Sequence, residues 1–194
     1  PFHVNYRPDA ALNDSQEVLH AMQLHDEAEA LENIGSIDEA VRLYQEALDI
    51  LIPSAGDSHD TTCRCYNNLA GALLAGKEVD RAAELFQKAA KTSSDLLRFT
   101  SLVNYAQCLI ERDTEESNEE ADRTVREVIA ELDDLRGAYT QDMADGTVAS
   151  VSAHDSPYES KRLQTKMLLV DMNQKFGGRN AGESLEIIDE IENR

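Results

Sequence analysis

Ser58-His59-Asp60 and His154-Asp155-Ser156 contain the residue types of a nucleophilic triad, in which a base takes the hydroxyl proton and a carboxylate orients the base. Neighbours in sequence do not form one, because triad members converge from separate segments. Cys63 and Cys65 flank Arg64. On one helix, residues two apart point about 200° apart, so the pair cannot chelate one ion. The stretch from Asp113 to Thr124 is acidic enough for a calcium loop, yet Asn118 stands where the central Gly belongs and Thr124 where the closing Glu does. The five histidines make no i, i+4 pair with a carboxylate base, and the Gly pairs sit at helix ends rather than in a phosphate loop after a strand. Asn13-Asp14-Ser15 fits a glycosylation acceptor, but Asp14 and Ser15 serve better as a helix start. These patterns imply a non-enzyme, with no catalytic residue, no metal and no cofactor.

The elements behind these residues are repeats. Ala28, Leu31, Gly35, Ala40, Tyr44 and Ala47 align with Ala70, Leu73, Lys77 beside Gly76, Ala82, Phe86 and Ala89, a shift of 42 positions (70 minus 28). Repetition at this period means stacked supersecondary units. A side chain no larger than methyl lets two helix backbones approach closely where they cross, and the aromatics then fill the space toward the next unit. Weaker copies follow: Leu102, Tyr105, Ala106 and Leu109 with Ala121, Val125 and Val128, then Leu168, Leu169 and Met172 with Ala181, Leu185 and Ile188.

Helix punctuation supports eight helices. Asp14 with Glu17, Ser36 with Glu39, Ser117 with Glu120, Ser156 with Glu159 and Asn180 with Glu183 have the spacing of capping boxes. Pro157 suits a first helical position, while Gly35, Gly76, Gly137 and Gly177 mark stops. Only Phe2, Val4 and Tyr6 alternate with period two, so essentially no sheet is expected. The organisation expected is an extended arm at 1–13 and a single repeat domain at 14–194, with hairpins at about 15–54, 59–92, 95–136 and 157–192 and a long loop at about 137–156.

The spacing, with its Asn67-Asn68-Leu69-Ala70 core, resembles the tetratricopeptide repeat, and its period resembles the longer kinesin-light-chain type. Ile52 lies where a terminal Pro is usual, and about eight extra residues, Ala55 to Thr62, join the first two copies. The resemblance implies an all-α, right-handed superhelical array of about four helix-turn-helix hairpins, acting as a scaffold or adaptor in protein–protein interaction. It also implies that first helices line a groove for an extended peptide, here formed by His25, Asp26, Glu29, Asn67, Asn68, Asn104, Gln107, Lys166 and Val170. Asn68 and Asn104, each two before an Ala, resemble a ladder that holds a peptide backbone; core packing is the alternative for both. Members that clamp the acidic tail of heat-shock chaperones use Lys, Asn and Arg where this chain has His25, Glu29, Thr100 and Asn104, and only Asn68 fits that pattern. The alternative function is a structural or assembly subunit of a larger complex.

Charge selects the partner. Lys and Arg number 18 against 38 Asp and Glu, for a net charge of -20 and a mean hydropathy of -0.48. Nucleic acids and anionic membrane surfaces are bound through Lys and Arg and would be repelled, leaving neutral or basic proteins and peptides. Between Glu111 and Asp134, eleven carboxylates face three arginines. No apolar run of about 18 residues could insert into a bilayer, so a soluble chain is expected. Three cysteines, an odd number, suit a reducing intracellular compartment, cytoplasm or organelle interior. The chain opens at Pro1, as a processed or excised piece would, without a cleavable signal or Arg-rich presequence.

Overall fold

Small residues at helical spacing give stripes narrow enough for close helix pairing, and the computed structural model contains such pairs. It describes residues 16–93, 95–144, 157–176 and 181–192. Among these residues there are eight helices and no strand: α1 (Gln16–Asn33), α2 (Ile37–Ala55), α3 (Asp60–Ala75), α4 (Val79–Thr92), α5 (Asp95–Arg112), α6 (Glu115–Ala144), α7 (Pro157–Lys175) and α8 (Ala181–Glu192). The arm at 1–13 and the capping residues Asp14, Ser156 and Asn180 lie outside the described residues. The helices form two compact units that divide between Arg112 and Asp113, α1–α5 in one and α6–α8 in the other.

In the first unit α1 packs on α2, α2 on α3, α3 on α4 and α4 on α5, and α3 also touches α1 and α5. The expected crossing residues Ala28, Ala40, Ala70 and Ala82 are all fully buried, as are Tyr44 and Phe86. Truncating an aromatic so placed typically costs about 3–5 kcal/mol, which makes Tyr44 and Phe86 principal anchors of this unit. The extra residues between the first two copies are tied down too. Asp57 accepts a hydrogen bond from the Tyr66 hydroxyl and pairs with Lys88 Nζ at 3.0 Å, while that ammonium lies 4.4 Å from the centre of the Tyr66 ring. In the second unit α6 packs on α7 and α7 on α8.

Several punctuation marks work differently from their sequence reading. Ser36 does precede α2, but its side chain makes no capping hydrogen bond. The box expected at Ser117 and Glu120 forms one turn earlier: Thr114 N donates to Ser117 Oγ and Ser117 N to Thr114 Oγ1, both at 3.1 Å. Glu159 and Glu183 face Arg136 at 3.0 Å and Arg126 at 2.6 Å, while Ser156 and Asn180, their expected capping partners, lie outside the described residues. Gly137 does not stop α6, which runs on to Ala144, so the loop expected from 137 starts no earlier than 145. In the last helix Leu185, expected on the core stripe, is 64% exposed, and Ile187 is buried in its stead.

The stops expected at Gly35 and Gly76 use the same backbone device. At Gly35, φ is 84°, and Ser36 N donates back to Leu31 O at 2.9 Å. In the second copy Gly76 stays at negative φ and the next residue, Lys77, takes the left-handed conformation at φ 67°, with Glu78 N bonded to Leu73 O at 2.9 Å. A side chain there costs about 1 kcal/mol that glycine would not. Lys77→Gly should therefore raise stability slightly, by up to about 0.5 kcal/mol once the entropy that glycine adds to the unfolded chain is subtracted. Ala82→Leu, by contrast, should overpack the α3–α4 crossing and lower stability by about 1–3 kcal/mol. Denaturant melts of the two variants check both signs; a neutral Ala82→Leu would refute the close crossing.

Candidate functional site

Adjacent residues on a helix point about 100° apart, and this is what the Asn67-Asn68 pair uses. From α3, Asn68 reaches α1: its Nδ2 lies 3.0 Å from His25 Nε2. Asn67 reaches α5, where its Oδ1 accepts from Ser101 Oγ at 3.2 Å and from Asn104 Nδ2 at 3.3 Å. Asn67 Nδ2 closes the chain by donating to Asn68 Oδ1 at 3.3 Å. The result is a continuous polar seam across three first helices. His25, Asn67, Asn68, Ser101 and Asn104 are each 3% exposed or less. A buried amide without a partner costs about 1–3 kcal/mol, so a seam that satisfies its members fixes the register of α1, α3 and α5.

His25 sits at the end of the seam. Its ring meets Tyr44 edge to face at 5.3 Å, and its Nδ1 lies 3.5 Å from Asp26 Oδ1. With Asn68 donating to Nε2, the neutral ring carries its proton on Nδ1, toward Asp26. Burial holds the imidazole below its ordinary pKa, against the opposing pull of Asp26 and Glu29; Arg64 lowers it further. The Tyr44 hydroxyl donates to Glu32 at 3.3 Å, and burial raises its pKa.

The nine groove residues separate by exposure and place. His25, Asn67, Asn68 and Asn104 are joined in the seam. Asp26 is exposed beside it, and Glu29 and Gln107 are half-buried. In the other unit, Val170 is buried, and Lys166 Nζ is 2.8 Å from Glu190. Ser101 and Tyr44 join the site without having been singled out as groove residues. Ser101 lies three before Asn104, on the same helix face, which was a usable signal.

Of the candidate catalytic residues, His59, Cys63 and Cys65 have structural partners, and His154, Asp155 and Ser156 lie outside the described residues. His59 caps α3, its Nδ1 accepting from Thr61 N at 3.3 Å. Cys63 Sγ donates to Thr92 Oγ1 at 3.3 Å and Cys65 Sγ to Tyr44 O at 3.5 Å. Burial raises the pKa of all three thiols, that of Cys108 to about 12, which suppresses the nucleophilic thiolate. One group of donors was missed in the sequence: ligand atoms of His25, Asp26 and Glu29 lie within 4.8 Å of one another. All three come from one helix, and both imidazole nitrogens already face partners in the seam.

The lowered pKa of His25 has a definite sign for stability. Below about pH 6.5 the unfolded chain takes up a proton that the folded imidazole resists, so this contribution is present above that pH and is lost as pH falls toward the folded pKa. Melting temperatures taken from pH 7.5 to 5 should fall more steeply for the wild type than for His25→Gln. Parallel curves would show that His25 is not held neutral.

Residues 10–95 match the family model described as the tetratricopeptide repeat. No curated protein matches the chain. Among solved structures it is similar to the nearly identical TPR-like repeats of a putative kinesin light chain of Podosopora anserina. A singly substituted form of that protein gives a TM-score of 0.66 at 19% identity, covering 94% of this chain and 77% of that one. The other form gives 0.64 at 20% identity, covering 93% and 77%. BtubC (BKLC) from P. vanneervenii gives 0.70 at 15% identity, covering 94% and 66%. The aligned alanines, the buried aromatics and these matches agree: the chain is similar to the tetratricopeptide repeat over residues 10–95 and has the fold of the kinesin-light-chain-like repeat proteins.

Proposed function

We propose that this chain is a non-catalytic scaffold or adaptor whose first helices receive an extended peptide or partner segment, neutral or basic in character. The observation that carries the reading is the seam: five buried polar side chains hold α1, α3 and α5 side by side. In this division of labour His25, Asn67, Asn68 and Asn104 form a rigid floor. Asp26, Glu29 and Gln107 make the contacts; the other two groove candidates lie in the second unit, Lys166 paired with Glu190 and Val170 buried. Buried amides already bonded to one another do not read a peptide backbone directly, so selectivity rests on the carboxylates. The net charge of -20 favours the same class of partner and disfavours nucleic acid. Three free, buried thiols suit a reducing compartment. No helix among the described residues is long and apolar enough to cross a membrane.

A second reading, a structural subunit of a larger complex, is favoured by a different observation. Leu185 is 64% and Met167 43% exposed, large apolar side chains of the kind that contact a neighbouring subunit.

Selection of extended peptides from a charge-diverse library, followed by binding kinetics, separates the two. The adaptor reading expects basic or neutral binders and, for Asp26→Lys with Glu29→Lys, an association rate reduced about tenfold at low salt with little change in melting temperature. Absence of binders from a chain that self-associates or precipitates would favour the subunit reading instead. Asn67→Ala tests the floor: it removes at once the acceptor shared by Ser101 and Asn104 and the donor to Asn68, so a stability loss of about 1–3 kcal/mol is expected in a denaturant melt. Unchanged stability would mean that the seam does not brace these helices.

A further inference from the structure

In the second unit, a cavity of about 470 Å³ lies between the start of α6 and the end of α7. Glu115, Asn118, Glu119 and Asp122 line one side, at the spacing of a single helix face; Met172, Asn173 and Phe176 line the other. Met172 is buried, which makes this side of the cavity apolar. Glu115 and Glu119 are exposed and make no ion pair or hydrogen bond with the described residues. Asp122 shares Arg126 at 2.8 Å, and Asn173 Nδ2 donates to Ser184 Oγ at 3.2 Å. Asn118 Oδ1 is shielded from solvent and has no hydrogen-bond partner among the described residues. A carboxylate-rich wall therefore stands opposite a thioether and an aromatic ring.

This lining selects among cations. Its carboxylate oxygens do not converge as ion ligands do: among the described residues the grouping close enough is His25, Asp26 and Glu29, in the other unit. Spread acceptors across from an aromatic ring suit a planar cation with several donors. A guanidinium offers five N–H groups in a fixed fork and stacks on rings, whereas an ammonium is a compact, strongly hydrated point charge. The Phe176 ring already attracts a cation of this chain, with Lys175 Nζ 5.2 Å from its centre. A volume of this order accommodates one long side chain with its flanking backbone.

We propose that this cavity docks an arginine side chain presented by an extended basic segment of a partner protein. The site is separate from the first-helix groove, and neither depends on the other. Titrating the full chain with N-acetyl-arginine N-methylamide at about 0.15 M salt, where charges beyond about 8 Å are screened, tests it by NMR. Saturable shifts are expected at the Asn118 and Asn173 side-chain amides and the Phe176 ring, with the lysine analogue binding about fivefold more weakly. Glu115→Gln with Glu119→Gln should weaken arginine binding about fivefold, while Glu127→Gln with Glu131→Gln, the same charge change on α6 away from the cavity, should leave it within about twofold. Equal binding of the two analogues, equal effects of the two double variants, or shifts that miss the cavity residues would each overturn the proposal and leave only diffuse attraction to an acidic helix.

Discussion

Close approach of two helix backbones at alanine is the constraint from which the first unit follows. Ala28 against α2 and Ala70 against α4 are fully buried, as are their counterparts Ala40 and Ala82. A methyl group at the crossing sets the distance between axes, and that distance decides which neighbours the longer side chains can reach. Tyr44 and Phe86, one in each second helix, are fully buried beside these crossings, and the Tyr44 ring packs back against His25 on α1. Enlarge the crossing residue and the aromatic loses its pocket. Three first helices then lie near enough for side chains as short as Asn and Ser to bridge them.

That proximity also explains why the seam is polar. A helix interface of apolar residues tolerates some sliding, since dispersion contacts re-form a turn away, whereas a chain of amide bonds is satisfied in one register alone. Asn67 and Asn68 turn in opposite directions from α3, so one dipeptide fixes both neighbours. Desolvating these groups costs free energy, and mutual hydrogen bonding offsets it; the net benefit lies in specifying one arrangement. His25 completes the seam because its ring, held neutral by burial, accepts at one nitrogen and donates at the other.

Helix count and buried aromatics were legible in the sequence because small-residue spacing is a local signal repeated at a fixed period. Asn67, Asn68 and Asn104 were also legible as special, as residues of the expected groove, Asn68 and Asn104 each standing two before an Ala. Whether they met a ligand or one another was not, since their partners lie 34 to 43 positions away. Cap chemistry failed for a different reason. Ser117 and Glu120 have the spacing of a box, but Thr114 three residues earlier competes for the same amide, and sequence alone does not rank them. Gly137 misled similarly: glycine permits a stop without imposing one, and α6 continues through it.

The acidic run from Glu111 to Asp134 shows how one compositional feature divides into separate tasks. In the second unit the arginines bridge helices: Arg126 joins Asp122 to Glu183 on α8, and Arg162, buried on α7, contacts Asp133 on α6 and Glu190 on α8. Arg136 meets Glu159 on α7. A guanidinium buried in this way demands partners, because losing one leaves an uncompensated charge that costs about 3–5 kcal/mol. Among the α6 carboxylates, Asp133 is therefore committed to Arg162 on α7 and Asp122 to Arg126. Those at its start, Glu115 and Glu119, have no such commitment, and they face a wall containing Met172 and Phe176. Excess negative charge thus remains where an apolar surface also stays open, and the combination favours a cationic side chain over either solvent or a purely apolar one.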